Sequence, residues 1–140
     1  MSYVYNRTRT AQAAIAPYRF VKPGTINYTA VQASAPTDSI IGVSLEFYHP
    51  QAGERFDFAI AGPAQIEVGA NPVADGDLLT SDANGMAVTV TRHAHTENLA
   101  AAYTENAITA PAASVRVGAL ALMAGQPGDI IDVYVQPMPA

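Results

Sequence analysis

Apolar and polar residues along this chain alternate with a period of two far more often than with helical spacing. That alternation is the signature of half-buried β-strands. Residues 55–61 give the clearest case: Phe56, Phe58 and Ile60 alternate with Arg55, Asp57 and Ala59, which predicts one buried and one wet face. Residues 18–22 and 26–33 read as strands flanking the turn Lys22-Pro23-Gly24, and residues 40–49 as a long strand after the breaker Ala35-Pro36-Thr37-Asp38. Within that long strand, Gly42 marks a bulge or a point of close backbone approach. Gly62-Pro63 is expected to end the strand over 55–61 before a short one over 65–68. Asn84-Gly85 joins residues 77–81 to 86–92 as a hairpin, through two consecutive positive φ values. Gln126-Pro127-Gly128-Asp129 does the same for residues 115–124 and 130–136, whose nearly continuous apolar runs place them in the core. Residues 96–110 are the exception: Thr96 can cap a short helix through Leu99 and Tyr103 that Pro111 would stop, and the same composition fits a long exposed loop.

About nine strands with frequent turn signals in one small chain imply an all-β fold, a single-domain β-sandwich or barrel with a jelly-roll or similar Greek-key arrangement. No internal repeat and no linker divides the chain. Residues 1–16 read as an extended, detachable N-terminal arm, and residues 17–140 as the domain.

Charge sharpens this division. Residues 1–37 carry Arg7, Arg9, Arg19 and Lys22 and no acid, a charge of +4, whereas residues 38–140 hold all 12 acids against three arginines, −9. A basic arm on an acidic body suits a tail that reaches an acidic surface. In an extended arm Tyr3, Tyr5, Arg7 and Arg9 form one row, and tyrosine and arginine are the side chains enriched where interfaces concentrate their energy. With Arg19 and Lys22 they are the candidate partner or oligomer interface. A single lysine and an acidic total argue against nucleic acid as the main partner. Only 14% of the residues are charged and 49% are hydrophobic, which excludes a charge-rich disordered chain. No apolar run is long enough to cross a membrane as a helix, and the start Met1–Arg7 lacks a signal-peptide core, so a soluble protein without an export address is expected.

Few catalytic designs survive inspection. The chain has no cysteine, hence no disulfide, thiolate metal site or cysteine nucleophile. Neither phosphate-binding glycine motif occurs. Gly42-Val43-Ser44 begins like a nucleophile elbow but lacks the closing glycine and sits within a strand, so Ser44 reads as an ordinary strand residue. His93 and His95, two apart, would face the same way as a cupin-like metal pair does, with His49 or Glu97 as the available third ligand. Two partly exposed histidines is the simpler reading. Asp75, Asp77 and Asp82 surround a glycine-rich turn and read as aspartates accepting local backbone hydrogen bonds rather than as calcium ligands. We expect no enzyme and no cofactor.

Taken in order, Pro17-Tyr18-Arg19-Phe20-Val21-Lys22-Pro23-Gly24, Ile41-Gly42-Val43-Ser44, Asp75-Gly76-Asp77-Leu78-Leu79-Thr80-Ser81-Asp82-Ala83-Asn84-Gly85, Val117-Gly118-Ala119-Leu120-Ala121 and Pro127-Gly128-Asp129-Ile130-Ile131-Asp132-Val133 resemble the capsid cement, or head decoration, proteins of tailed bacteriophages. The resemblance spans most of residues 17–137 and rests on the ordered set of strand and turn pieces. It implies a small β-protein that docks on the outer surface of an icosahedral head, made in the host cytoplasm during assembly. There it would bridge neighbouring subunits of the major capsid protein without any reaction. A homo-oligomer is expected, a dimer ahead of a trimer. The alternative is a carbohydrate- or receptor-binding module of a phage fibre or tail, against which the lack of tryptophan counts.

Overall fold

Nine strands and no helix make up the computed structural model, which describes residues 5–45, 49–90 and 115–139. They are β1 (Tyr5–Ala11), β2 (Phe20–Pro23), β3 (Thr29–Gln32), β4 (Gly42–Ser44), β5 (Arg55–Glu67), β6 (Leu78–Ser81), β7 (Ala87–Thr89), β8 (Arg116–Ala121) and β9 (Ile130–Pro139). All belong to one sheet of order β1-β3-β2-β4-β5-β9-β8-β6-β7. The protein is therefore all-β, as the alternation of its side chains predicts. A further pairing of β1 with β5 joins the first strand back to the fifth, so β1-β3-β2-β4-β5 closes into a ring. The other five-strand set, β5-β9-β8-β6-β7, is drawn together at its ends by a parallel bridge between Val68 and Ala87.

β5 belongs to both sets. Residues up to Ala61 pair with β1 and β4, and residues from Gly62 onward pair with β9. Gly62, at the handover, has φ +93°, a conformation glycine adopts without a steric penalty. Gly62-Pro63 thus redirects a 13-residue strand instead of ending one, which corrects the expected break. Pro63 is tolerated in the ladder because β5 changes partners beside it.

Two apolar clusters follow from this arrangement. Ala11, Ile15, Val21, Ala30, Phe56 and Phe58 fill the closed ring, with the Phe56 and Phe58 ring centroids 5.5 Å apart. Phe20, Val43 and Ala59 face the other way and join Ile66, Val68, Leu79, Ala119, Ile131, Val133 and Val135 in the larger core. Ala59 is fully buried, so the second face of this stretch is exposed at Arg55, partly exposed at Asp57 and closed at Ala59. The simple one-face reading of residues 55–61 fails there because another layer packs behind the ring. Gly118 completes that packing, since a Cβ there would come within 2.5 Å of the Phe20 ring. Gly42 is likewise a close-approach point, where a Cβ would collide with the Ala59 carbonyl.

Turns repeat one device. In Gln51–Glu54, Ala74–Asp77 and Gln126–Asp129 the fourth N–H donates to the first carbonyl, at 3.0–3.1 Å. The fourth residue's carboxylate accepts the first N–H, at 2.6–2.9 Å. The third residue in each is a glycine with φ near +90°. The β6–β7 hairpin uses Asp82 instead, whose carboxylate accepts N–H bonds from Asn84 and Met86. Only Gly85 has positive φ there, so the turn is the three-residue kind closed by a left-handed glycine, not the expected pair of left-handed residues. Asp77 and Asp82 are thus turn residues, as read from the sequence.

Candidate docking surface

The segment 1–16, expected as an arm, is extended from Tyr5 to Ala11, and that stretch is β1, hydrogen-bonded within the ring. Ala11 and Ile15 lie in the ring's core. Antiparallel partners share a face, and Arg7 lies opposite Phe58 and Arg9 opposite Phe56. Both arginines therefore stand on the ring's inner side, above its apolar filling. Thr8 and Thr10 stand on the outer side opposite Asp57 and Arg55, and the Thr8 hydroxyl donates to the Asp57 carboxylate at 2.5 Å.

At the mouth of the ring lies an open cavity of about 500 Å³, lined by Arg7, Thr8, Arg9, Tyr28, Ile40, Ile41, Phe58, Ile60 and Pro137. Its floor is apolar and its rim cationic. Arg9 is half-buried and donates from Nη1 to the Thr29 carbonyl at 3.0 Å. Arg7 is exposed and forms no ion pair among the described residues. Tyr28 is 83% exposed with φ +66°, a left-handed conformation that costs a non-glycine residue on the order of 1 kcal/mol. Ile26, in the same loop, is also well exposed, so this end of the molecule presents two large apolar side chains beside Arg9.

Arg19 and Lys22 sit elsewhere and are engaged internally. Arg19 pairs with Glu67 at 2.9 Å, and its buried Nε has no hydrogen-bond partner among the described residues. Lys22 pairs with Asp38 at 3.1 Å. Burial raises the Asp38 pKa, but hydrogen bonds from the Ser34 amide, the Lys22 ammonium and the Ala35 amide outweigh it and hold the carboxyl below its usual range. Ser44 is buried, its hydroxyl donating to the Ala16 carbonyl at 2.8 Å and accepting the Arg19 N–H at 2.9 Å. That is a structural clamp on the connector between β1 and β2.

Tyr3, His93, His95, Glu97 and residues 96–110 lie outside the described residues. Among the described residues no group of three or more histidines, aspartates or glutamates is placed to hold a metal. The sequence pattern puts Arg55 on a wet face without linking it to β1, and it does not mark Tyr28 or Ile26 as members of the exposed surface. The apolar pattern predicts a strand over residues 26–33, whereas the strand is Thr29–Gln32 and residues 24–28 form a projecting loop. Arg55 reaches β1 only through a cross-strand pairing with Thr10, which no local pattern reveals.

No protein-family model matches the chain, and no curated protein matches it by sequence. Among solved structures it is similar to the N base of head fiber gp8.5 in bacteriophage phi29, with a TM-score of 0.59 and 16% identity over 96% of this chain and 95% of that one. At that identity the likeness is one of fold.

Proposed function

We propose that this chain is a structural protein of a phage virion that docks on the outer surface of the head and bridges neighbouring major capsid protein subunits, acting by binding and not by catalysis. The observation that carries this reading is the end-to-end likeness of fold to a head fiber base. The ordered strand and turn pieces that resemble head decoration proteins support it independently. The exposed tyrosine and arginine surface at the ring mouth has the composition of an interface core. Physically the task is modest: a protein that binds the assembled shell better than free subunits stabilises it by mass action, about 2.7 kcal/mol per site at a hundred times its dissociation constant. Many sites on one head multiply that term.

A second reading is favoured by the same comparison. The matched structure is a fiber base, so this chain is proposed alternatively as the module that seats a fibre on the head. Mixing purified protein with undecorated heads tests both. Saturable binding with a raised temperature of shell rupture supports bridging, and saturable binding without that rise supports a fibre seat. Absence of binding overturns both.

A further inference from the structure

We propose that the open upper half of β1 is a strand-addition lane for an extended acidic segment of a partner protein. This rests in part on the head-docking reading, to which it adds the chemistry of the partner. Backbone geometry supplies the lane. Thr10 N–H donates to the Tyr28 carbonyl and Gln12 N–H to the Ala30 carbonyl, whereas Ala11 bonds the Glu54 side of β5. Because strand backbone groups alternate in direction, the N–H and C=O of Thr8 and Asn6 point the same way as those of Thr10. There β3 no longer reaches: its pairing with β1 covers only Thr10 and Ala11. The chain leaves that lane at Tyr28, where the left-handed φ of +66° turns it outward. Among the described residues no backbone pairs with β1 beyond that point on this side.

An incoming strand would continue the lane that β3 vacates, and its side chains would fall alternately to the two sides of β1. A cavity waits on each side. The inner one has the Ile41, Phe58 and Ile60 floor with Arg7 and Arg9 at its rim. The outer one, about 300 Å³, is lined by Thr8, Arg9, Thr10, Tyr28 and Arg55. Both lie against Tyr28, which is placed to cover an occupant. Arg7 and Arg55 have no ion pair among the described residues, and the Asp57 carboxylate opposite Thr8 already accepts the Thr8 hydroxyl. Uncompensated arginines on both sides of an open strand edge fit carboxylates at alternate positions of an extended peptide, with apolar residues between them.

The probe is an acetylated, amidated peptide of alternating glutamate and valine, titrated by calorimetry into the full chain, with a lysine–valine peptide and a single-stranded DNA oligonucleotide as controls. The glutamate peptide is expected to bind saturably, to weaken as salt is raised, and to slow amide hydrogen exchange at Thr8 and Asn6. Arg7→Glu and Arg55→Glu, both at exposed positions, are expected to lower affinity about tenfold each while leaving the unfolding midpoint in place. No binding, equal binding of the lysine peptide, tighter binding of the oligonucleotide, or affinity unchanged in both variants would overturn the proposal. Heads that bind the protein while the glutamate peptide does not would leave the docking reading standing and remove only this one.

Discussion

Replacing Ser44 with alanine isolates one buried hydroxyl that holds the connector between β1 and β2. Its Oγ donates to Ala16 and accepts from Arg19, while its own backbone N–H donates to the Arg19 carbonyl and is untouched by the substitution. The variant therefore loses two hydrogen bonds, each worth about 1 kcal/mol net. It also leaves the Arg19 N–H and the Ala16 carbonyl, both partly shielded, short of a partner. Together these give a loss of about 2–3 kcal/mol, which for a chain of this size lowers the melting temperature by about 6–9 °C. Urea unfolding at neutral pH is the assay, and the midpoint should fall with an unchanged slope, since the exposed surface does not change. Ser44→Cys, which keeps a weaker donor and acceptor, should fall between wild type and alanine. A loss below about 0.5 kcal/mol in the alanine variant, the size of an ordinary surface change, would show that the connector is not held by this side chain.

Two further outcomes test other parts of the fold. The Asp38 carboxyl titrates lower in the folded chain than in the unfolded one, so its stabilisation is full above the unfolded value and is lost as pH falls through the lowered folded value. Asp38→Asn should accordingly destabilise at neutral pH, and the gap from wild type in urea midpoint should narrow on acidification; a gap independent of pH would refute the assignment. Gly128→Ala meets no atom within 4 Å of the added methyl, at φ +88°. Its cost is therefore one of backbone conformation alone, about 1 kcal/mol, and a loss several times larger by thermal unfolding would contradict that account.

What the sequence made legible was local. The hairpins at Asn84-Gly85 and Gln126-Pro127-Gly128-Asp129 lie where their turn residues put them, because a turn is decided by a few neighbouring side chains and one glycine. The close approach at Gly42 was readable for the same reason. What stayed hidden depended on contacts between distant segments. Nothing in Arg55–Ala61 announces that its outer face will meet Phe20 and Val43, so Ala59 looked wet. Gly62-Pro63 looked like a stop because the dipeptide is one in isolation; only the change of neighbour from β4 and β1 to β9 makes it a bend. Of the residues proposed for the surface, Arg19 and Lys22 gave no local sign of the acids that claim them, Glu67 and Asp38 lying 48 and 16 positions away.

β5 deserves to be considered under load. Because one uninterrupted backbone runs through both five-strand sets, a tug applied to either half is borne by covalent bonds and by two ladders in series, not by side chains sliding between stacked layers. Under such a load, failure would begin by unzipping at β1 or β9, and the halves would not shear from one another while that common thread stayed intact.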